Sequence, residues 1–164
     1  MDEPVFDSPH GPPLIGALMR MPVDEGRARM LARLHEEGFM DLIPAHLIVL
    51  RFPGPHGRRP VDIAAQSGMS KQALNYLLGQ LEDGGYLERV DDPDDRRAKR
   101  VQLTARGFSV LETMRASVGE LEDEFERAYG KEDLETLRTL LIRLNLALGT
   151  VPDAARPDRE TPPK

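Results

Sequence analysis

The densest chemistry in this sequence is a run of cations: Arg96, Arg97, Lys99 and Arg100 fall within five residues, directly after Asp91, Asp92, Asp94 and Asp95. Guanidinium and ammonium groups clustered in this way hold phosphate oxygens, and an arginine near the tip of a projecting hairpin reaches a narrow minor groove, where the negative potential of a duplex is strongest. Arg97 is the candidate for that tip, with Arg96 its rival. Asp95 would orient an arginine through a fork-shaped pair. The plainer alternative is an exposed turn whose cations pair with the neighbouring aspartates, and both can hold together. Earlier in the chain stand Ser70, Lys71, Gln72, Asn75 and Tyr76. Gln or Asn can match an adenine edge with two hydrogen bonds, while Lys and Ser more often hold phosphates. A solvated helix face is the competing account of the same residues.

Such groups act only if rigid elements aim them. Leu74, Leu77, Leu78 and Leu81 recur at i, i+3, i+4 and i+7, which puts them on one buried stripe of a helix and leaves the polar residues on the rest of its surface. Ser70 is a natural N-cap for this helix and Gly84-Gly85 ends it. A short helix over Val61–Ala65, closed by Ser67-Gly68, precedes it. Two helices joined by a tight glycine-containing turn make a helix-turn-helix. Two short strands are then expected, Tyr86–Val90 and Arg100–Leu103, with the polar stretch Asp91–Arg97 as the turn of a hairpin, a β-wing. Thr104 caps the helix that follows.

In two runs the sequence resembles the MarR-type winged helix-turn-helix transcriptional regulators. One is Leu77-x-x-x-Leu81-Glu82-Asp83-Gly84-Gly85-Tyr86-Leu87-Glu88-Arg89. The other is Asp92-Pro93-Asp94-Asp95-Arg96-Arg97-Ala98-Lys99-Arg100-Val101-Gln102-Leu103-Thr104-x-x-Gly107. The resemblance covers about residues 14–149. It implies a mainly α (α+β) fold: a winged helix-turn-helix domain with a two-stranded β-wing, flanked by N- and C-terminal dimerisation helices. It also implies double-stranded DNA as partner, a homodimer whose first and last helices interlock about a two-fold axis, repression, and a small aromatic effector. Where family members often carry Thr and Arg, this chain has Asn75 and Tyr76, so no operator sequence follows.

The flanks read as the resemblance requires. From Leu14 to Leu50 the pattern is helical, with Ala28, Leu31, Leu34 and Gly38 at spacings of three and four and Pro44 opening or kinking a later segment that ends before Pro53. Phe52–Pro60 reads as a loop. Leu111, Met114, Val118, Leu121 and Phe125 follow at spacings of 3, 4, 3 and 4, a heptad seam assigned to dimerisation. Leu134, Leu137, Leu140, Leu141, Leu144 and Leu148 form a second stripe, with Gly149 as its C-cap. The expected organisation is a disordered tail at 1–13, one regulator unit at 14–149 and a disordered tail at 150–164. Within the unit, the DNA-binding lobe covers about 54–104 and the dimerisation helices about 14–50 and 105–149.

Composition bounds the alternatives. The 164 residues contain no cysteine, which excludes disulfides, thiolate metal sites and thiol redox switching. His10, His35, His46 and His56 show no HxxxH or HExxH spacing, so no metal is expected; His35 and His46 read as partly buried helix residues, with a ligand pocket as the alternative. Arg51 and Tyr76 are further candidates for such a pocket. No nucleotide-binding loop, nucleophile elbow or kinase signature occurs, so neither an enzyme nor a cofactor is expected. The acidic start lacks a secretory pattern and no stretch approaches the roughly 20 apolar residues of a membrane span, so the expected location is the cytoplasm, with no membrane partner. The net charge of -6 speaks against a nucleic-acid binder until its distribution is seen. Residues 51–110 hold ten Lys/Arg against eight Asp/Glu. The acidic excess lies elsewhere. A winged-helix protein–protein or dimerisation module without specific DNA binding is the second reading.

Overall fold

Prolines and a serine mark where the central helices begin. In the computed structural model, which describes residues 13–54 and 56–149, α1 spans Ile15–Glu36, α2 Pro44–Leu50, α3 Pro60–Ser67 and α4 Lys71–Asp83. Pro44 and Pro60 each occupy the first turn of their helix, where a missing N–H costs nothing. The hairpin β1 (Leu87–Asp92) and β2 (Asp95–Leu103) follows, then α5 (Ala105–Tyr129) and α6 (Lys131–Ala147). Among the described residues this is a mainly helical winged-helix fold with one two-stranded antiparallel sheet.

The expected strand limits need correcting. The hairpin reaches further than the sequence suggested: β1 extends to Asp92 and β2 begins at Asp95, leaving Pro93-Asp94 as the turn. Charged residues hid the strand, since neither an apolar alternation nor a β-branched run marks Asp95–Arg100. A second correction concerns Phe52–Pro60. This loop carries an extended residue, Arg58, whose N–H and C=O both pair with Val101 at 2.9 Å. Gly38 also falls outside α1, which ends at Glu36. Of the expected tails, residues 1–12 and 150–164 lie outside the described residues.

The chain divides into two compact units, one running to Gly119 and one from Glu120, with the division inside α5. The first unit holds the core. The α4 stripe (Leu74, Leu77, Leu78, Leu81) packs with Leu34 of α1, Leu47, Val49 and Leu50 of α2, Ile63 of α3, Val101 and Leu103 of β2, and Val110 of α5. Burying a leucine fully stabilises by about 1.5–3 kcal/mol, so this stripe fixes α4 against several elements at once. Met114 is only 9% exposed and belongs to that core, and Leu111 packs against it. Two members of the heptad seam therefore pack, Met114 fully and Leu111 in part, against the core of their own chain. Val118 is exposed.

The second unit contains the rest of α5 and α6. Leu121, Phe125, Leu134, Leu141 and Leu144 are half-buried, whereas Leu137, Leu140 and Leu148 are exposed. Arg138 links the two helical segments, donating to Glu122 at 2.7 Å and to Glu135 at 3.2 Å.

Candidate nucleic-acid interface

Helix α4 begins as its sequence dictates. The Ser70 hydroxyl accepts a hydrogen bond from the Ala73 N–H at 3.1 Å, satisfying one of the donors a helix start leaves unpaired. With the four leucines turned inward, Lys71, Gln72, Asn75 and Tyr76 are all exposed. Residues three and four apart lie side by side on a helix, so Gln72, Asn75 and Tyr76 form one patch. Tyr76, 68% exposed, is its largest member.

The far end of α4 is tied to the wing. Gly85 takes a φ of +72°, a left-handed geometry that costs glycine little. Arg89 of β1 donates to both carboxylate oxygens of Glu82 at 2.8 and 3.0 Å. Below this junction the Thr104 hydroxyl donates to the Gly85 carbonyl at 2.6 Å and accepts from the Gly107 N–H at 3.1 Å. A Cβ on Gly107 would stand 2.1 Å from the Tyr86 carbonyl oxygen. The T-x-x-G ending of the second sequence run is thus a close packing of α5 on the start of β1. Tyr86 continues the anchor. Its hydroxyl donates to Asp41 at 2.5 Å and accepts from Arg106 at 2.9 Å, and the Arg106 guanidinium lies over its ring. The Tyr86 hydrogen bond holds the Asp41 carboxyl below its ordinary value, while burial and then Asp41 push the Tyr86 phenol up.

The wing is built around a buried carboxylate. Asp92 is 1% exposed, and its Oδ2 accepts from Arg59 at 2.5 Å and from Arg100 at 2.9 Å. Its Oδ1 accepts from the Asp94 N–H at 2.9 Å, closing the Pro93-Asp94 turn. The Arg59 guanidinium, then that of Arg100, hold Asp92 well below the usual carboxylate range, and Asp92 in turn raises both arginines. Arg100 also meets Asp94 at 2.9 Å. Among the described side chains the arginines thus gather at Asp92, two of them on one carboxylate oxygen, while Asp95 accepts from the backbone N–H of Arg97 at 3.0 Å.

That last bond has a purpose in the ladder. Pairing runs regularly from Leu87↔Leu103 to Asp91↔Lys99 and then jumps to Asp92↔Asp95, so Arg96, Arg97 and Ala98 face no partner on β1. A bulge of this kind re-aims side chains out of a sheet. Arg97 is exposed and makes no ion pair among the described residues. Lys99 pairs with Asp91 at 2.5 Å, both ends exposed, an interaction worth at most about 1 kcal/mol and weakened by salt. The structure thus brings Arg97 and Lys99 to the outside of the hairpin and takes Arg100 into its base.

Sequence reasoning missed three members of this assembly: Asp92 as the buried centre, and Arg59 and Arg58 as the residues that fasten the loop before α3 to the wing. One signal did exist. An Asp immediately before Pro favours turn initiation, and Asp92 is the aspartate of its cluster in that position. Among the described residues no His, Asp and Glu group could hold a metal, and no helix is long and apolar enough to cross a membrane.

Residues 40–98 match the model of the MarR family. That segment of the chain is thus similar to the MarR family. Solved structures share the winged-helix fold. A probable transcriptional regulator from Pseudomonas aeruginosa is 27% identical with a TM-score of 0.59, the match covering 79% of this chain and 96% of that one. The apo form of MarR from E. coli is 24% identical with a TM-score of 0.64, covering 82% and 98%. A variant of MepR from S. aureus, bound to an oligodeoxyribonucleotide, is 21% identical with a TM-score of 0.55, covering 84% and 99%. The MarR-type match contains α4 and most of the hairpin, the two elements that carry the exposed polar groups.

Proposed function

We propose that this chain is a sequence-specific, double-stranded DNA-binding transcriptional regulator that acts as a homodimer on a pseudo-palindromic operator. The observation that carries the reading is the shared anchoring of α4 and the wing: one core and one set of junction bonds hold the Gln72/Asn75/Tyr76 patch and the Arg97 bulge in a single body. Helix α4 suits a major groove, and the bulged arginine suits the adjacent minor groove. Ser70, Lys71 and Lys99 are the phosphate-holding candidates, and Arg96 is the rival of Arg97 for the minor groove. The DNA-bound MepR variant supports the same partner.

Dimerisation is supported by apolar side chains left in water. On α1 these include Ile15, Leu18, Met19 and Val23, and on α6 Leu137, Leu140 and Leu146. Exposed apolar surface of this extent marks an interaction site. Repression by occupying the operator, and release by a small aromatic compound that changes the spacing of the two α4 helices, complete the reading on the family resemblance. Selection from random duplex DNA tests it. The expected product is a two-fold motif with half-site centres about 10 bp apart, bound with a steep loss of affinity as salt rises. No enriched sequence and a flat salt response would overturn it in favour of a protein–protein module, the reading that the net charge of -6 favours.

A further inference from the structure

Helix α2 contains a histidine that the interface described so far does not use. His46 is 4% exposed, yet both its ring nitrogens have partners. Nδ1 receives the Ile43 backbone N–H at 3.4 Å, and Nε2 lies 3.1 Å from Oε1 of Gln80 on α4. A backbone N–H only donates, so Nδ1 is the unprotonated nitrogen and Nε2 carries the hydrogen, donating it to Gln80. The amide of Gln80 is thereby fixed with its Nε2 outward, where it donates to the Tyr76 hydroxyl at 3.2 Å. With one lone pair of that oxygen occupied from within, the phenolic hydrogen is left to point away from the protein.

We propose that His46 and Gln80 are positioning residues that set the hydrogen-bond polarity of Tyr76, making it a dedicated donor to an acceptor oxygen or nitrogen on DNA. The inference rests on the DNA-binding reading of α4 and adds what that reading lacks, the sign of the contact at its largest exposed side chain. The acceptor is either a phosphate oxygen or a base edge in the major groove. These sources separate in experiment: loss of the phosphate contact weakens all sequences alike, whereas loss of the base contact relaxes selectivity at one position.

Gln80→Glu tests the relay, because a carboxylate accepts from both neighbours and turns the Tyr76 hydrogen inward. On duplexes selected with the wild-type protein, Tyr76→Phe is expected to lower affinity about tenfold. Gln80→Glu should cost about tenfold more in the wild-type background than in the Tyr76→Phe background. The added negative charge repels DNA equally in both, so equal factors in the two backgrounds overturn the proposal. Nitrogen-15 spectra of the His46 ring supply a reading independent of DNA: a hydrogen on Nε2 and a bare Nδ1 are expected, and the opposite tautomer overturns it. If the wild-type chain enriches no duplex at all, the reading of α4 fails on its own evidence, distinct from the relay.

Discussion

Helix α4 and the wing present polar groups side by side, but they are held by opposite kinds of force. Beneath α4 lie four leucines with no polar atom among their side chains; beneath the wing lies a fully enclosed carboxylate between two guanidinium groups. Apolar packing is indifferent to pH and tolerant of salt, and its loss is felt wherever the core is shared. A buried ion cluster is directional, since each partner's removal strands the others without a counter-charge. The recognition helix is thus placed by volume, and the hairpin by charge geometry.

The sharpest break in that comparison comes from the shared core. Leu78 is 0% exposed, and Leu78→Ala should destabilise the fold by about 2–5 kcal/mol through lost transfer energy and a residual cavity. Urea unfolding measures it. A cost below about 1 kcal/mol would mean that α4 is not seated as described.

Asp92→Asn comes next and should separate the two regions. An amide cannot offer full negative charge to Arg59 and Arg100, so the hairpin loosens while the leucine stripe is untouched. Amide exchange should quicken across Leu87–Leu103 and remain slow in Leu74–Leu81, and operator affinity should fall further than for loss of any single exposed cation. Acid provides the same perturbation without mutation. Asp92 and Asp41 are both held below their unfolded values, as is Glu37, by the Thr113 hydroxyl first and by Arg33 after it. A depressed carboxyl stabilises the fold at pH above its unfolded value, near 4, and that contribution disappears as pH falls through the lower folded value. Stability should therefore be level at neutral pH and decline below about pH 5. In Asp92→Asn the decline should be shallower; an unaltered acid profile would remove Asp92 from the account.

These two regions also differ in how far the sequence disclosed them. Periodicity exposed α4 completely, because Leu74, Leu77, Leu78 and Leu81 sit at the helical interval among polar neighbours, and Ser70 and Gly84 bound them. The hairpin was recognised from its ordered charged run, yet the strand limits and the buried aspartate were not. Asp91, Asp92, Asp94 and Asp95 carry the same side chain; Pro93 marks Asp92 as a turn residue, but its burial as an ion-pair centre comes only from the three-dimensional meeting with Arg59, from a loop before α3. The seam on α5 shows a related limit: a heptad spacing reports an apolar stripe without saying whose surface covers it, and Met114 is covered by its own chain.

At the outside of the wing the expected effects are confined to binding. Arg97→Ala should leave the melting temperature unchanged, since Arg97 makes no ion pair among the described residues, and should weaken operator binding by about 1–3 kcal/mol if the guanidinium enters the minor groove. Gel-shift titration decides. Unchanged affinity would pass the role to Arg96, the other arginine of the bulge.

The smallest effect separates a phosphate contact from a specific one. Lys99 is exposed and already neutralised by Asp91 at 2.5 Å, and swapping an aspartate for a phosphate exchanges one screened pair for another. Lys99→Ala should therefore reduce affinity modestly and by the same factor for every duplex, while the slope of log affinity against log salt becomes shallower by about 1, the signature of one fewer counterion displaced. Arg97→Ala differs in kind, changing the preference among sequences by altering how well a narrow groove is filled. If the two variants give the same sequence profile and the same salt slope, the bulge does not distinguish its residues, and the hairpin acts as a diffuse cationic edge rather than as an aimed one.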